Sequence, residues 1–589
     1  MSEQEPFTAV IYFHGIGQQS RYQSLSQLLE SFDDYAVVQD DEHLERFTVE
    51  IEDSRSHLTD QTVGYVTFRR DGKTYRFYEV YWAPLTAIGL SALSVLRWLF
   101  GHILTPIRIW RSTWNTRRRW RTSYLYSLWE KRYTESSNFT PFKQLITYYN
   151  QFCDDALRGS QQRGNFDDFM RYLRQNSDDS ELYQLAQDWR EHMRRIEFWN
   201  FFVLMTLTYV VLVVPILTLS RVLHLAFADL RLQDLLQNDL LALAFYGVLL
   251  LLLPVPIFFA KFLRDYVGDV QLWSTYEEND EKYDRRKAIL QRGLEMTTHV
   301  LQHEGCERAI IVGHSLGTTI ALDTLLAIGR HNRAVRASEP PDTRSSKVVT
   351  VAGGVAMLKA HDDDDLHPSN QRPDNPRLIR TDNIEYLVTF GSPIDKIHYL
   401  FESKRGDHRP YELIVDDLRG DISYPPFVHD NGIPNFRWLN FWSQEDYISG
   451  ALFTASPREF KRRDQQVDNI LIKSYEFPAP ARAHNGYFRD DLLIGLLYRL
   501  IFLRENPHTS DHLRTILNTR AKSKSQRLRD SLLIGSWSLL FAIVFDILGW
   551  NLLQAVFSVI FFLTLSVVIV LAVYSLVRGA NDPFKRWQD

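Results

Sequence analysis

Apolar positions along this chain fall into distinct rhythms, and each rhythm predicts a kind of element. Short β-branched or aromatic runs bounded by polar residues read as strands. They are Phe7–Phe13 (FTAVIYF), Gly64–Arg69, Thr74–Trp82, Ala309–Val312, Lys347–Ala352, Ile384–Phe390, Phe436–Trp442 and Val467–Tyr475. Asp71-Gly72 is a two-residue hairpin turn between the second and third of these. Helical spacing marks Tyr22–Phe32, the polar and amphipathic Thr140–Arg195, and Thr318–Leu326, whose apolar positions suit packing on a sheet. Continuously apolar strands followed by helices predict an α/β fold around a mostly parallel sheet.

A second pattern is superposed on the first. Trp199–Ser220 and Leu240–Ala260 carry no charged residue, and each is long enough for a helix to cross a bilayer at ~1.5 Å per residue. The linker Arg221–Asp239 is short, so the two form a hairpin; Leu532–Phe545 and Leu552–Val577 form another around Gly549-Trp550-Asn551. Leu85–Leu104 is also apolar, but Arg97 and His102 interrupt it, which suits the membrane interface better than a span. Basic residues flank the outer ends of both hairpins: Arg190, Arg194 and Arg195, Lys261 and Arg264, then Arg520 to Arg529, and Arg578, Lys585 and Arg586. Excess positive charge stays on the cytoplasmic side, so both hairpins are expected to dip in from the cytoplasm, with the rest of the chain on that face.

The expected organisation follows. An N-terminal part of an α/β core spans 1–84, a helical insert 85–198 and a first hairpin 199–264. The remainder of the core spans 265–510, a basic linker 511–530, a second hairpin 531–578 and a cytoplasmic tail 579–589.

Composition changes this picture little. The formal net charge of -5 gives the whole molecule no basic bias towards nucleic acid. Trp110–Trp120 interleaves four arginines with three tryptophans, and beside an apolar helix this fits anionic lipid headgroups. Cys153 and Cys306 fit neither a disulfide framework nor a metal spacing, and MSEQEPFTAV lacks the layout of a signal peptide, so a reducing compartment is expected. Ser338–Asn383 reads as a long surface excursion; its His361, His367 and acidic run Asp362–Asp365 are a solvated loop rather than a metal site.

The chemistry concentrates in ERAIIVGHSLGTTIALDTLL, residues 307–326. A buried strand runs into Gly313-His314-Ser315-Leu316-Gly317 and then into a helix, which places a serine at the apex of a sharp turn. Such a turn lifts the hydroxyl clear of the backbone, where a histidine can reach it. It also aims the N–H of Leu316 at the place where an oxyanion would form. Gly313 and Gly317 leave room for strand and helix to approach, whereas His314 is expected to be a neighbour of the serine rather than its base. The plain alternative is a glycine-rich turn with a solvated serine.

Further matching pieces occur in order: HGIG after the first strand, GHSLG, TFGSP, WLNFWSQEDYI and HNGYF. Together they resemble the lipase branch of the α/β-hydrolase superfamily, close to the class 3 lipases and to membrane-bound inositol-deacylase-like hydrolases. The resemblance covers about Phe7–Trp82 and Val300–Leu503, not the membrane segments. It implies a catalytic Ser315, an orienting acid at Asp446, just after the W-x-N strand, and a base at His484, which opens the H-x-x-Y-F segment. It also implies a second oxyanion donor in the HG turn, the N–H of Ile16, with Gly17 next to it. Asp468 and Asp395 remain rival acids, and His398, His408 and His429 rival bases.

The resulting expectation is a membrane-anchored serine ester hydrolase with membrane lipid as anchor and substrate. No cofactor, no metal and no nucleic-acid partner are implied. A thioesterase for lipidated proteins and a membrane scaffold with a vestigial hydrolase core are the competing readings.

Overall fold

The computed structural model describes residues 5–52, 63–86, 140–158, 166–208, 268–274, 281–338, 378–397, 426–428, 435–452, 467–472, 484–505 and 556–560, apart from single positions within these ranges, and one or two residues at a time elsewhere. An eight-stranded sheet organises them. Its strands are β1 (Phe7–Phe13), β2 (Leu44–Glu52), β3 (Val63–Arg70), β4 (Lys73–Val80), β5 (Cys306–His314), β6 (Ile384–Phe390), β7 (Arg437–Ser443) and β8 (Asp468–Ile472). Their order is β2-β3-β4-β1-β5-β6-β7-β8. From β4 to β8 all neighbours are parallel, and β3 is antiparallel to both β2 and β4. This is a mixed, mostly parallel sheet flanked by helices.

The β1 sequence explains why it lies at the centre. Every residue of FTAVIYF is buried, because helices cover both faces. Ala9, Ile11 and Phe13 pack on one side with Leu272, Ile289, Leu301, Ile320 and Leu325. Val10 and Tyr12 pack on the other with Leu25, Leu28, Phe32, Leu493 and Leu497. The first layer thus consists of α5 (Gly268–Trp273), α6 (Glu281–Gln302) and α7 (Leu316–Ser338), and the second of α1 (Gln23–Val38) and α9 (Asp491–Tyr498). Asp71 and Gly72 both have positive φ, 50° and 70°, as a two-residue turn between twisted antiparallel strands requires.

Three further helices, α2 (Thr140–Arg158), α3 (Phe166–Asn176) and α4 (Ser180–Thr208), build their own apolar core. Phe142, Tyr149, Phe166, Phe169 and Trp189 fill it, with the Tyr149 and Trp189 rings edge-on at 5.0 Å. Helix α4 runs without a break across the expected boundary at 198/199 and continues the first ten residues of the charge-free run. A short helix α8 (Ile394–Ile397) follows β6.

Five of the expected strands match β1, β3, β4, β6 and β7 to within one or two residues, and β8 is the shorter core of Val467–Tyr475. Strand β2 is not among the expected strands: LERFTVEIE spreads four charged residues over nine positions and has no continuous apolar run, as suits an edge strand. Among the described residues no helix is long and apolar enough to cross a membrane. The remaining candidate membrane residues (apart from 556–560 and single or paired positions), the basic and aromatic stretch 110–120 and the strand expected at 347–352 lie outside the described residues.

Helix α7 meets the sheet very closely. A Cβ on Gly317 would stand 2.3 Å from the carbonyl oxygens of both Phe13 and His14, and one on Gly313 would stand 2.8 Å from the Thr318 Cα. Backbone cannot yield as a flexible side chain can. Gly317→Ala is therefore expected to destabilise the fold by about 2 kcal/mol or more, read as a lowered midpoint in chemical denaturation. An unchanged midpoint would show that the contact is slack.

Candidate active site

Ser315 sits between the last residue of β5 and the first of α7 with φ 53°. A left-handed conformation at a non-glycine residue costs about 1–2 kcal/mol, so the surroundings must hold it. They do so from both sides. The Ser315 N–H donates to the Phe390 carbonyl at the end of β6 (3.1 Å), and the Thr318 N–H and hydroxyl both donate to the Ser315 carbonyl (3.0 and 2.7 Å). Thr318 Oγ1 is also bonded to Ser392 Oγ at 2.9 Å, which ties the turn to the segment after β6.

Three loops that follow different parallel strands converge here. His484 Nε2 lies 2.7 Å from Ser315 Oγ, and His484 Nδ1 lies 2.8 Å from Asp446 Oδ2. A carboxylate only accepts, so Nδ1 carries the proton and Nε2 is left to accept from the serine hydroxyl. All three side chains are almost fully buried: 1% exposed for Ser315, 2% for Asp446 and 3% for His484. Among the candidates named from sequence, the structure brings together Ser315, Asp446 and His484. Asp468 instead pairs with Arg437 at 3.5 Å, and the buried Asp395 on α8 makes no hydrogen bond to His484. His398, His408 and His429 lie outside the described residues. Asp323 on α7 is paired with Arg286 at 3.0 Å.

Asp446 is surrounded by groups that favour its charge. Burial alone would raise its pKa. The charge and hydrogen bond of His484, the Lys396 ammonium and the Ile448 N–H (2.8 Å) outweigh that effect and hold the carboxyl well below the usual range. The Tyr487 hydroxyl donates to the same oxygen as His484, at 3.0 Å, and is itself held by the Ser443 N–H (3.1 Å) and Ser449 Oγ (2.7 Å). Lys396 donates to the Ser449 carbonyl at 2.6 Å; burial pushes its ammonium down to about 8, against the pull of Asp446 and Asp395. Tyr487 lay inside the HNGYF segment and Lys396 just after TFGSP, yet nothing local to either signalled the Tyr487 bond to Asp446 or the influence of the Lys396 charge on it.

His314 stacks on the His484 ring at 5.3 Å and on Phe390 at 4.9 Å, and its Nε2 faces the His484 carbonyl at 3.3 Å. Burial and the neighbouring His484 lower its pKa to about 3, so it is a neutral packing partner.

The HGIG turn lies on the other side of the serine. Gly15 is pressed against the elbow: a Cβ there would stand 2.9 Å from the Ser315 Cβ. The His14 ring stacks on Trp82 at 4.7 Å and 3°, accepts the Trp82 N–H at Nε2 (3.1 Å) and lies 2.8 Å from the Gly15 carbonyl at Nδ1. Of the three amides expected to face an oxyanion, those of Ile16 and Leu316 make no hydrogen bond to another described residue. The Gly17 N–H does not remain available in the same way, because it donates to Asp269 Oδ2 at 2.9 Å. Asp269 stands 252 residues away, and nothing in the sequence links it to this turn.

Among the described residues no group of three or more His, Cys, Asp and Glu converges as a metal site would. Comparison of the chain with protein-family models, curated proteins and solved structures finds no match.

The buried histidines make stability depend on pH. Burial lowers His14 from 6.5 to about 4 and His314 from 6.5 to about 3, so between those values the unfolded chain binds more protons and stability rises with pH. Glu79, raised by burial from 4.5 to about 7, acts in the opposite sense: its contribution is full below 4.5 and is lost as pH rises through 7. The net expectation is a loss of stability on acidification below 6.5, steeper below 4.5, where Glu79 no longer offsets it. Denaturant titrations across this range should show the slope reduced by about one proton in His14→Gln. An identical slope would mean that His14 is protonated in the folded state.

Proposed function

We propose that the chain is a serine ester hydrolase of the α/β-hydrolase type, anchored in a membrane and acting on lipid esters. One observation carries the hydrolase reading. A serine held at positive φ between strand and helix is within 2.7 Å of a buried imidazole, whose other nitrogen is 2.8 Å from a buried carboxylate. A solvated serine in a glycine-rich turn needs no such relay, and three loops after separate strands supply it here.

The proposed reaction is acyl transfer. His484 Nε2 takes the Ser315 proton as the Ser315 oxygen attacks the ester carbonyl, and the ester C–O bond breaks as the imidazolium protonates the leaving alcohol. Asp446 keeps the imidazole in the Nδ1–H tautomer and stabilises its cation. The N–H groups of Ile16 and Leu316 receive the oxyanion. Water, deprotonated by the same histidine, then releases the acid and restores Ser315. No cofactor or metal enters this scheme.

The substrate class rests on anchoring. The charge-free runs 199–220 and 240–260 and the pair 532–577 suit two hairpins that enter from the cytoplasmic side, and an anchored site meets lipid esters without extracting them into water. Lipid would then be both anchor and substrate, and the net charge of -5 gives no basic bias towards nucleic acid.

Labelling of the detergent-solubilised chain by a fluorophosphonate probe tests the nucleophile. Label is expected on the native chain and not on Ser315→Ala; a folded native chain that never labels, even with lipid vesicles present, would sink the reading. Asp446→Ala is expected to lower kcat by roughly 10⁴-fold, while Asp468→Ala leaves it within about twofold. The reverse outcome would move the acid to the edge strand. Acyl release from phospholipid vesicles is the expected activity, and release only from an acylated peptide would replace the lipid ester by a thioester.

A further inference from the structure

The HGIG turn must present the Ile16 N–H at a fixed angle to serve the proposed reaction, yet a four-residue turn with two glycines has no such stiffness of its own. Contacts from elsewhere supply it. Before Ile16, the His14 ring is held by Trp82, whose indole N–H also donates to the His14 carbonyl at 3.1 Å, and Gly15 is pressed on the Ser315 Cβ. After Ile16 the chain turns away at Gly17, with φ 102°. There the Gly17 N–H donates to the Asp269 carboxylate (2.9 Å) and the Gly17 carbonyl accepts the Gln19 N–H (2.9 Å), with a longer contact of 3.4 Å from the Gln19 side chain to the Ile16 carbonyl; of these, only the Asp269 bond ties the turn to another element. The Asp269 bond holds the peptide plane between Ile16 and Gly17, while the Ile16 N–H lies in the preceding plane, whose Gly15 carbonyl is 2.8 Å from His14 Nδ1; the two anchors on either side of Ile16 together set the direction of its N–H.

Asp269 suits this task better than a surface carboxylate would. It is 4% exposed, in the first turn of α5, whose Leu272 and Trp273 belong to the core that also packs α7. The Trp273 ring in turn faces the Arg286 guanidinium at 4.9 Å. The carboxylate is therefore held by the same layer that holds the nucleophile. Burying a charge is costly, and an apolar side chain of similar volume would pack in its place at no such cost.

We infer that Asp269 is a positioning residue of the active site: through the Gly17 N–H it orients the loop whose Ile16 N–H receives the oxyanion. The inference rests on Ser315 being the nucleophile. It also gives the segment between β4 and β5 a role in the reaction, since α5 is the first described element after residues 209–267 and delivers this carboxylate to the turn.

Asp269→Asn and Asp269→Leu introduce side chains with the same branching and number of heavy atoms, Leu being the bulkier, and both lose the carboxylate, but only the amide can accept the Gly17 N–H. Both are made in the full chain, with thermal unfolding recorded beside kinetics. The Leu variant is expected to lose about tenfold or more in kcat and in fluorophosphonate labelling rate, with KM within about twofold and an unchanged pH profile. The Asn variant is expected to stay within about threefold of the native rate. Equal rates for Leu and Asn, or a loss confined to KM, would overturn the inference. Should the Leu variant not fold, Asp269→Ala replaces it under the same criterion. A native chain that is folded yet unlabelled would instead remove the hydrolase reading itself, so the two failures are distinguishable.

Discussion

The contact between α7 and the end of β1 governs the geometry of the site, because Gly317 lies where any Cβ would collide with two main-chain carbonyls. Helix and strand can come this close only if the β5–α7 turn is very sharp. A sharp turn forces Ser315 into the left-handed region, and that conformation projects its hydroxyl away from the sheet towards His484. Packing energy spread over two apolar layers therefore sustains a local strain at one residue. The same approach brings Gly15 against the Ser315 Cβ, so the HGIG turn and the serine share one wall.

A second constraint is electrostatic. Asp446 is almost without solvent, and an isolated carboxylate would not stay ionised there. It stays so because His484, Tyr487, the Ile448 N–H and the nearby Lys396 act on it together. The arrangement is asymmetric in a useful way. His484 has a strong acceptor on one nitrogen and the serine on the other, while the adjacent His314 is buried without a carboxylate and remains neutral. Two histidines whose rings are 5.3 Å apart thus have different chemistry, decided by their partners rather than by their residue type.

Much of the central sheet was legible before any coordinates. A strand covered on both faces must be apolar at every position, so FTAVIYF and IEYLVTF stand out against their surroundings, and Asp71-Gly72 marks its own turn. The charged edge strand β2 did not stand out, since it carries no continuous apolar run. At the site, Ser315 was legible because the turn chemistry is local: strand, glycine, serine, glycine and helix lie within one stretch of chain. Asp446 and His484 were legible only through the order of motifs after later strands.

What the sequence by itself determined is therefore whatever depends on near neighbours in the chain: the apolar layers, the hairpin turn, the sharp turn at Ser315 and the length of the apolar runs. That Asp446 rather than the rival Asp395 or Asp468 reaches His484, that Tyr487 shares its carboxylate and that the Gly17 N–H is already taken were decided by tertiary structure. Asp269 makes the point most clearly. It bonds to an N–H 252 residues away, and no local pattern can encode a contact that exists only once two distant segments are packed on the same face of a sheet.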